Sequence, residues 1–120
     1  MANLKDSMEA LQGIDGFVGA AVVDSNSGMM LGSLGGGPIN LEVAAAGNTE
    51  VVRSKMRVMT QLKLSDSIED ILITLGKQYH LIRPVASKEG LFIYLVLDRV
   101  KANLAMGRHR LAEVESTLSV

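Results

Sequence analysis

The side chains that could perform chemistry in this sequence are few and far apart. The chain of 120 residues has no cysteine, which excludes thiol nucleophiles, disulfides and cysteine ligands for a metal. Its two histidines, His80 and His109, do not stand at a recognised spacing from another strong metal ligand. Asp24 and Asp98 stand at predicted strand ends, where a carboxylate either acts in catalysis or caps a turn or helix, and no Gly-x-Ser-x-Gly motif marks a nucleophile. We therefore expect no catalytic residues, no metal site and no enzyme activity.

The glycines do not form a recognised phosphate-binding loop. Such a loop ends in Gly-Lys followed by Ser or Thr, whereas Gly76 and Lys77 are followed by Gln78. The glycines within residues 32–37 precede a predicted helix, whose N-terminus can hold an anion, but their spacing is not Gly-x-Gly-x-x-Gly. This stretch predicts a flexible loop, and we expect no bound cofactor.

Charge and hydropathy narrow the classes of partner. The formal net charge is −1 and 3% of the residues are aromatic, so neither a basic field nor stacking side chains favour nucleic acid. No long apolar run predicts a membrane-spanning helix. Asp6 and Glu9 stand where a signal peptide needs basic and then apolar residues, so we expect a cytoplasmic protein.

The composition is apolar for a small soluble protein. Hydrophobic residues make up 48% of the chain and charged residues 21%. Two interpretations fit these fractions: a dense core in a monomer, or a core together with an apolar surface through which copies of the chain associate.

The hydrophobic periodicity predicts a helix, a β-hairpin, a long helix, a three-stranded meander and a final helix. Asn3 is a predicted N-cap, Pro38 fits the first turn of the long helix, and Asp98 stands where it can cap the last helix. We expect one α/β (α+β) domain over residues 1–120, with a five-stranded antiparallel sheet, the order α-β-β-α-β-β-β-α, and the long helix on one face. The predicted ranges are helix Leu4–Gln12, strands Phe17–Asp24 and Met29–Leu34, helix Ile39–Leu64, strands Ile68–Leu75, Tyr79–Pro84 and Leu91–Leu97, and helix Arg99–Leu118.

Two apolar stripes run along the long predicted helix at helical spacing. One stripe consists of Val43, Gly47, Val51, Ser54 and Val58. The other lies on a different side and consists of Ala45, Val52, Met56, Met59 and, more loosely, Leu62. Because one stripe suffices to cover the sheet, the stripe that begins at Val43 predicts a dimer interface with a second copy of the helix. The alternative is a single wide apolar face.

Basic residues on the same helix offer a second candidate contact. Arg53 and Arg57 share a face, while Lys55 lies on the opposite side of the helix, so the three do not form one dense patch. Two interpretations remain for Arg53 and Arg57: a solvated surface, or a binding site for an acidic partner.

The order and spacing of several segments resemble the roadblock / dynein light chain domain family. The resemblance extends from about Leu4 to Leu118. The segments that carry it are Gly16–Asp24 followed by Ser-Asn-Ser-Gly28, then Tyr79–Pro84, Leu91–Leu97, Asp98, Asn103–Ala105 and Arg108. Each segment alone has a composition that is common in strands or helices. The order and spacing of the segments along the chain make the resemblance to the family specific.

The resemblance implies a homodimer in which the long helices pair and the two sheets can join. It also implies a non-catalytic adaptor that binds a small Ras-like GTPase and modulates its GTP hydrolysis or localisation, because family members regulate or scaffold such GTPases. Arg53 and Arg57 are predicted within a helix, whereas an inserted arginine finger must reach phosphate, so an indirect effect on the partner's switch segments is expected. Two alternatives are a small-molecule sensor and a purely structural subunit of a larger complex.

Overall fold

The computed structural model describes residues 2–120 and contains three helices and five strands in the predicted order. The bounds are α1 Leu4–Gln12, β1 Phe17–Asp24, β2 Met29–Gly35, α2 Leu41–Gln61, β3 Ile71–Thr74, β4 Gln78–Pro84, β5 Leu91–Asp98 and α3 Leu104–Thr117. Within this part of the chain, none of the helices is both long and apolar enough to cross a membrane.

The five strands form one antiparallel sheet in the order β2-β1-β5-β4-β3. The hairpin β1–β2 and the meander β3–β4–β5 are joined where β1 pairs with β5, from Phe17 opposite Leu97 to Asp24 opposite Leu91. The predicted α+β class and five-stranded antiparallel sheet are confirmed. The arrangement makes β1 and β5 neighbours at the centre and leaves β2 and β3 as the two edge strands.

The sheet separates two apolar cores, because successive side chains of each strand point to opposite faces. On one face, Leu95 of β5 lies in a core with Leu11 of α1 and Leu111 of α3. On the other face, Phe92 and Ala45 belong to a core beneath α2. The central strand β5 is buried on both faces, which explains its uninterrupted apolar sequence.

Two predicted helix starts are wrong, and side-chain caps explain both. The Asp98 carboxylate accepts hydrogen bonds from the backbone N–H groups of Val100 and Lys101 and closes a turn. The helix α3 begins only after Asn103, whose Oδ1 accepts from Met106 N at 3.1 Å. Pro38 likewise lies before α2, because Asn40 is the N-cap that accepts from Val43 N.

Candidate interaction surfaces

The outward face of α2 carries the predicted dimer stripe. Val43 is 68% exposed and Val58 is 37% exposed. Within residues 2–120, a Cβ at Gly47 would have no atom within 4 Å apart from its chain neighbours and the backbone of its own helix. Val51 and Ser54 are half-buried, at the flank and on the outer side of the helix. None of the five is among the fully buried residues of α2, although Val51 also packs against the core beneath the helix. The structure therefore places this stripe where a second molecule can reach it.

The inward face of α2 covers only part of the sheet. Leu41, Ala45, Thr49 and Val52 are buried against it, as the inner stripe predicts for Ala45 and Val52. Met56 is 39% exposed, which differs from the predicted stripe. After Val52 none of the α2 residues is fully buried, so the C-terminal turns of the helix pack less closely on the sheet.

Beside α2, the sheet leaves an apolar edge only partly covered. Ile71 and Ile73 of the edge strand β3 are half-buried and pack on the same core as α2. Leu62 and Leu64, which follow α2, are 63% and 53% exposed. These exposed leucines and half-buried isoleucines add to the apolar side chains that the outward stripe of α2 leaves uncovered.

Arg53 and Arg57 lie one turn apart on the opposite flank of α2. The Arg53 guanidinium donates to the backbone oxygen of Asn26 in the β1–β2 turn at 2.7 Å and lies 3.9 Å from the Glu50 carboxylate. Arg57 is exposed, and within residues 2–120 its guanidinium has no carboxylate at ion-pair distance. Both arginines line an open groove of about 1040 Å³ between α2 and the loop that joins β4 to β5.

A series of hydrogen-bonded polar side chains lies under the other flank of α2. His80 Nδ1 is 2.9 Å from the Tyr94 hydroxyl, and His80 Nε2 is 2.9 Å from Gln78 Oε1. A neutral imidazole with its proton on Nε2 satisfies both contacts. Burial lowers the pKa of His80, and burial raises the pKa of Tyr94 although a hydrogen bond with Asn48 opposes that change.

A cluster of ion pairs attaches the connection between α2 and β3 to α3, on the other face of the sheet. Arg108 of α3 binds both carboxylate oxygens of Asp70, with the shorter bond at 2.7 Å. Arg83 of β4 lies 3.8 Å from Asp70 and donates to Glu115 at 2.9 Å. Glu115 also accepts from Ala86 N. Sequence reasoning missed this cluster, because no local pattern links residues so far apart along the chain.

The described surfaces suit contact with another protein. Across residues 2–120, no three His, Asp or Glu side chains are grouped closely enough to share a metal ion. His80 and His109 lie on β4 and α3 in separate surroundings, since His80 contacts Tyr94 whereas His109 is exposed near Glu113. The exposed features are instead an apolar stripe, a sheet edge and a groove with a basic flank.

Comparison with solved structures identifies the same arrangement in other proteins. A Roadblock/LC7 domain from Streptomyces avermitilis matches 97% of this chain and 94% of its own length, with a TM-score of 0.81 and 13% identity. The gliding protein MglB from Thermus thermophilus matches over 93% of this chain and 87% of its own, with a TM-score of 0.72 and 15% identity. An MglB structure with a tetrameric arrangement matches over 94% and 82%, with a TM-score of 0.81 and 14% identity.

Sequence comparison alone gives no such match. No family sequence model matches the chain, and no curated protein matches it by sequence. The relationship is therefore carried by the order of the elements and by the sheet topology. The chain has the Roadblock/LC7 fold.

Proposed function

We propose that the protein is a cytoplasmic, homodimeric, non-catalytic adaptor that binds a small Ras-like GTPase and modulates its GTP hydrolysis or localisation. The observation that carries the proposal is the outward stripe of α2, an apolar and small-residue surface on a helix whose other face packs on the chain's own sheet. Val43 and Gly47 are both exposed there.

A two-fold axis beside α2 would bring two outward stripes together. The contact would be isologous, so the same surface of both copies, including Val51 and Val58, would lie in the interface. Gly47 would let the two backbones approach closely, since it has no side chain to hold them apart. The half-buried Ile71 and Ile73 at the β3 edge would lie near the same axis and would gain further burial.

Support for the GTPase partner comes from the family that the sequence resembles and whose fold the chain has. Proteins of that family bind small Ras-like GTPases as regulators or scaffolds. In this chain Arg53 and Arg57 belong to the middle of a helix, and Arg53 is held by the Asn26 backbone oxygen. An arginine held in this way favours an effect on the partner's switch segments over direct insertion at phosphate.

Pull-down of candidate small Ras-like GTPases, each loaded with GDP or with a GTP analogue, tests the partner. The expected result is binding that depends on the nucleotide, together with a changed rate of GTP hydrolysis. Binding without nucleotide dependence and without any change in hydrolysis would contradict the regulatory role and leave a structural scaffold. The absence of any GTPase partner would contradict the proposal as a whole.

A further inference from the structure

The groove between α2 and the β4–β5 loop has an apolar floor. Val52 and Leu91 are 5% and 7% exposed at its base, and Met56, at 39% exposed, lines the same wall. Val52 and Met56 stand one turn apart on α2, and Met56 belongs to the part of the helix beyond its last fully buried residue. An extended or helical segment of another protein could place aliphatic side chains on this floor and remove them from water.

The two walls of the groove carry opposite charge. Arg53 and Arg57 stand on the α2 wall, and Glu89 stands on the loop wall. From residue 51 to residue 65 the chain contains four cations and no acid, so the α2 wall belongs to a basic half of the helix. A carboxylate is therefore favoured beside α2 and disfavoured beside the loop, which gives the groove a polarity across its width.

Arg57 is the cation most available to a ligand. Arg53 is already held by the Asn26 backbone oxygen at 2.7 Å and by the proximity of Glu50. Arg57 is exposed and has no carboxylate partner in the described part of the chain. Its planar guanidinium can bind a carboxylate through two parallel hydrogen bonds.

We infer that this groove docks a segment of a partner protein in which acidic residues alternate with aliphatic ones, with a carboxylate on Arg57 and aliphatic side chains on Val52, Met56 and Leu91. The inference rests on the proposed adaptor function, and it names the chemistry of the segment that the adaptor binds. The opposite sign of Glu89 fixes which edge of the segment faces α2.

Fluorescence anisotropy with two labelled synthetic peptides tests the inference. One peptide combines leucine and glutamate, and the other has the same length and leucine positions with lysine in place of glutamate. Binding of the acidic peptide alone is expected. Arg57→Glu removes an attraction and adds a repulsion, so it should weaken that binding about tenfold. Equal binding of the two peptides, or no binding of the acidic one, would overturn the inference.

Lys55→Glu is the matched control, because it makes the same charge change on the same helix but on the side away from the groove. It should alter the affinity by less than about twofold, since only long-range screened attraction changes. If Lys55→Glu and Arg57→Glu weaken binding equally, the attraction is a general effect of net charge and the groove is not the site.

The methionine methyl groups provide a direct readout of location. In NMR spectra of the protein labelled at its methionine methyls, the acidic peptide should shift the Met56 signal and leave that of Met106, on α3, unchanged. A shift of Met106 with none at Met56 would overturn the inference. The assay needs no GTPase, so peptide binding can fail while the GTPase pull-down succeeds, and the reverse outcome is equally distinguishable.

Discussion

The Asp70 carboxylate should contribute to the stability of the whole fold. Only 8% of its side chain is exposed, and it receives two hydrogen bonds from Arg108 and lies 3.8 Å from Arg83. Asp70→Asn removes the charge that offsets both arginines, so the free energy of unfolding should fall by about 1–3 kcal/mol. Urea denaturation of the variant and the wild type measures the change.

Asp66→Asn is the control for Asp70→Asn. Asp66 is exposed in the same connection, and within residues 2–120 its side chain accepts a hydrogen bond only from the neighbouring Ser67 N. Its substitution should change the free energy of unfolding by less than about 0.5 kcal/mol, as is usual for surface positions. Equal effects of the two substitutions would mean that the buried ion pairs do not stabilise the fold.

The half-buried imidazole of His80 should make stability depend on pH. Because burial lowers its pKa below the ordinary value of 6.5, the unfolded chain binds a proton at a higher pH than the folded chain does. The stability is fully present above pH 6.5, and it decreases as the pH falls through 6.5 toward the folded pKa. Urea denaturation at pH 7.5 and pH 5.5 should follow this direction in the wild type.

His80→Gln should reduce this pH dependence, since the titrating group is removed. His109→Gln should leave it in place, because His109 is exposed on α3 and does not contact Tyr94. If His80→Gln leaves the slope unchanged, the dependence comes from another group and the partial burial of His80 is not its cause.

Individual contacts between distant residues were the least predictable from the sequence. The outward positions of Val43 and Gly47 follow from helical spacing alone, and the accessible Arg57 follows from the same argument. The pairing of Arg83 with Glu115 depends on α3 crossing β4, and the contact of His80 with Tyr94 depends on strand register. Neither arrangement leaves a pattern in the order of residues along the chain.

At the scale of elements, α2 should carry self-association through its outward stripe. Gly47→Glu places a charge where a second helix would pack, and Val51→Glu does so one turn further on. Replacing a helical glycine also favours the helix of the monomer by up to about 1 kcal/mol, so the Gly47 variant should fold. Both variants should shift toward monomer in sedimentation velocity.

Ala105→Glu provides the control for these two variants. It adds the same charge at an exposed position of α3, on the other side of the sheet from α2. The control should keep the association state of the wild type. Association that survives Gly47→Glu and Val51→Glu would exclude the outward stripe as the interface.

Element types were predictable because each strand and helix has its own periodicity, whereas the ends depend on caps. The bounds of α1 agree with the prediction because Asn3 is followed by a regular apolar repeat and Gly13. The predicted start of α3 is wrong because Asp98 and Asn103 can both cap a helix N-terminus. In the structure the Asp98 carboxylate closes a turn, and Asn103 is the N-cap. The strand β3 is also shorter than the predicted range Ile68–Leu75. It begins at Ile71, directly after Asp70, whose carboxylate is held in ion pairs.

At the scale of the whole molecule, the sequence predicts helices on both faces of the sheet from its own apolar pattern, whereas the GTPase partner is implied by the family resemblance. A buried β5 that is apolar on both faces requires cover on both sides, and α1 and α3 on one side with α2 on the other provide it. The apolar excess of the composition left two interpretations, a dense monomer core or an added association surface. The uncovered stripe of α2 and the half-buried edge at Ile71 and Ile73 favour the second.

The mass of the protein in solution tests the central claim most directly. Sedimentation equilibrium at micromolar concentration should give twice the chain mass of 12.8 kDa. Gly47→Glu should lower that mass toward a single chain while the circular dichroism of the fold is retained. A wild-type mass of one chain at this concentration would contradict the homodimer, and with it the adaptor that depends on paired α2 helices.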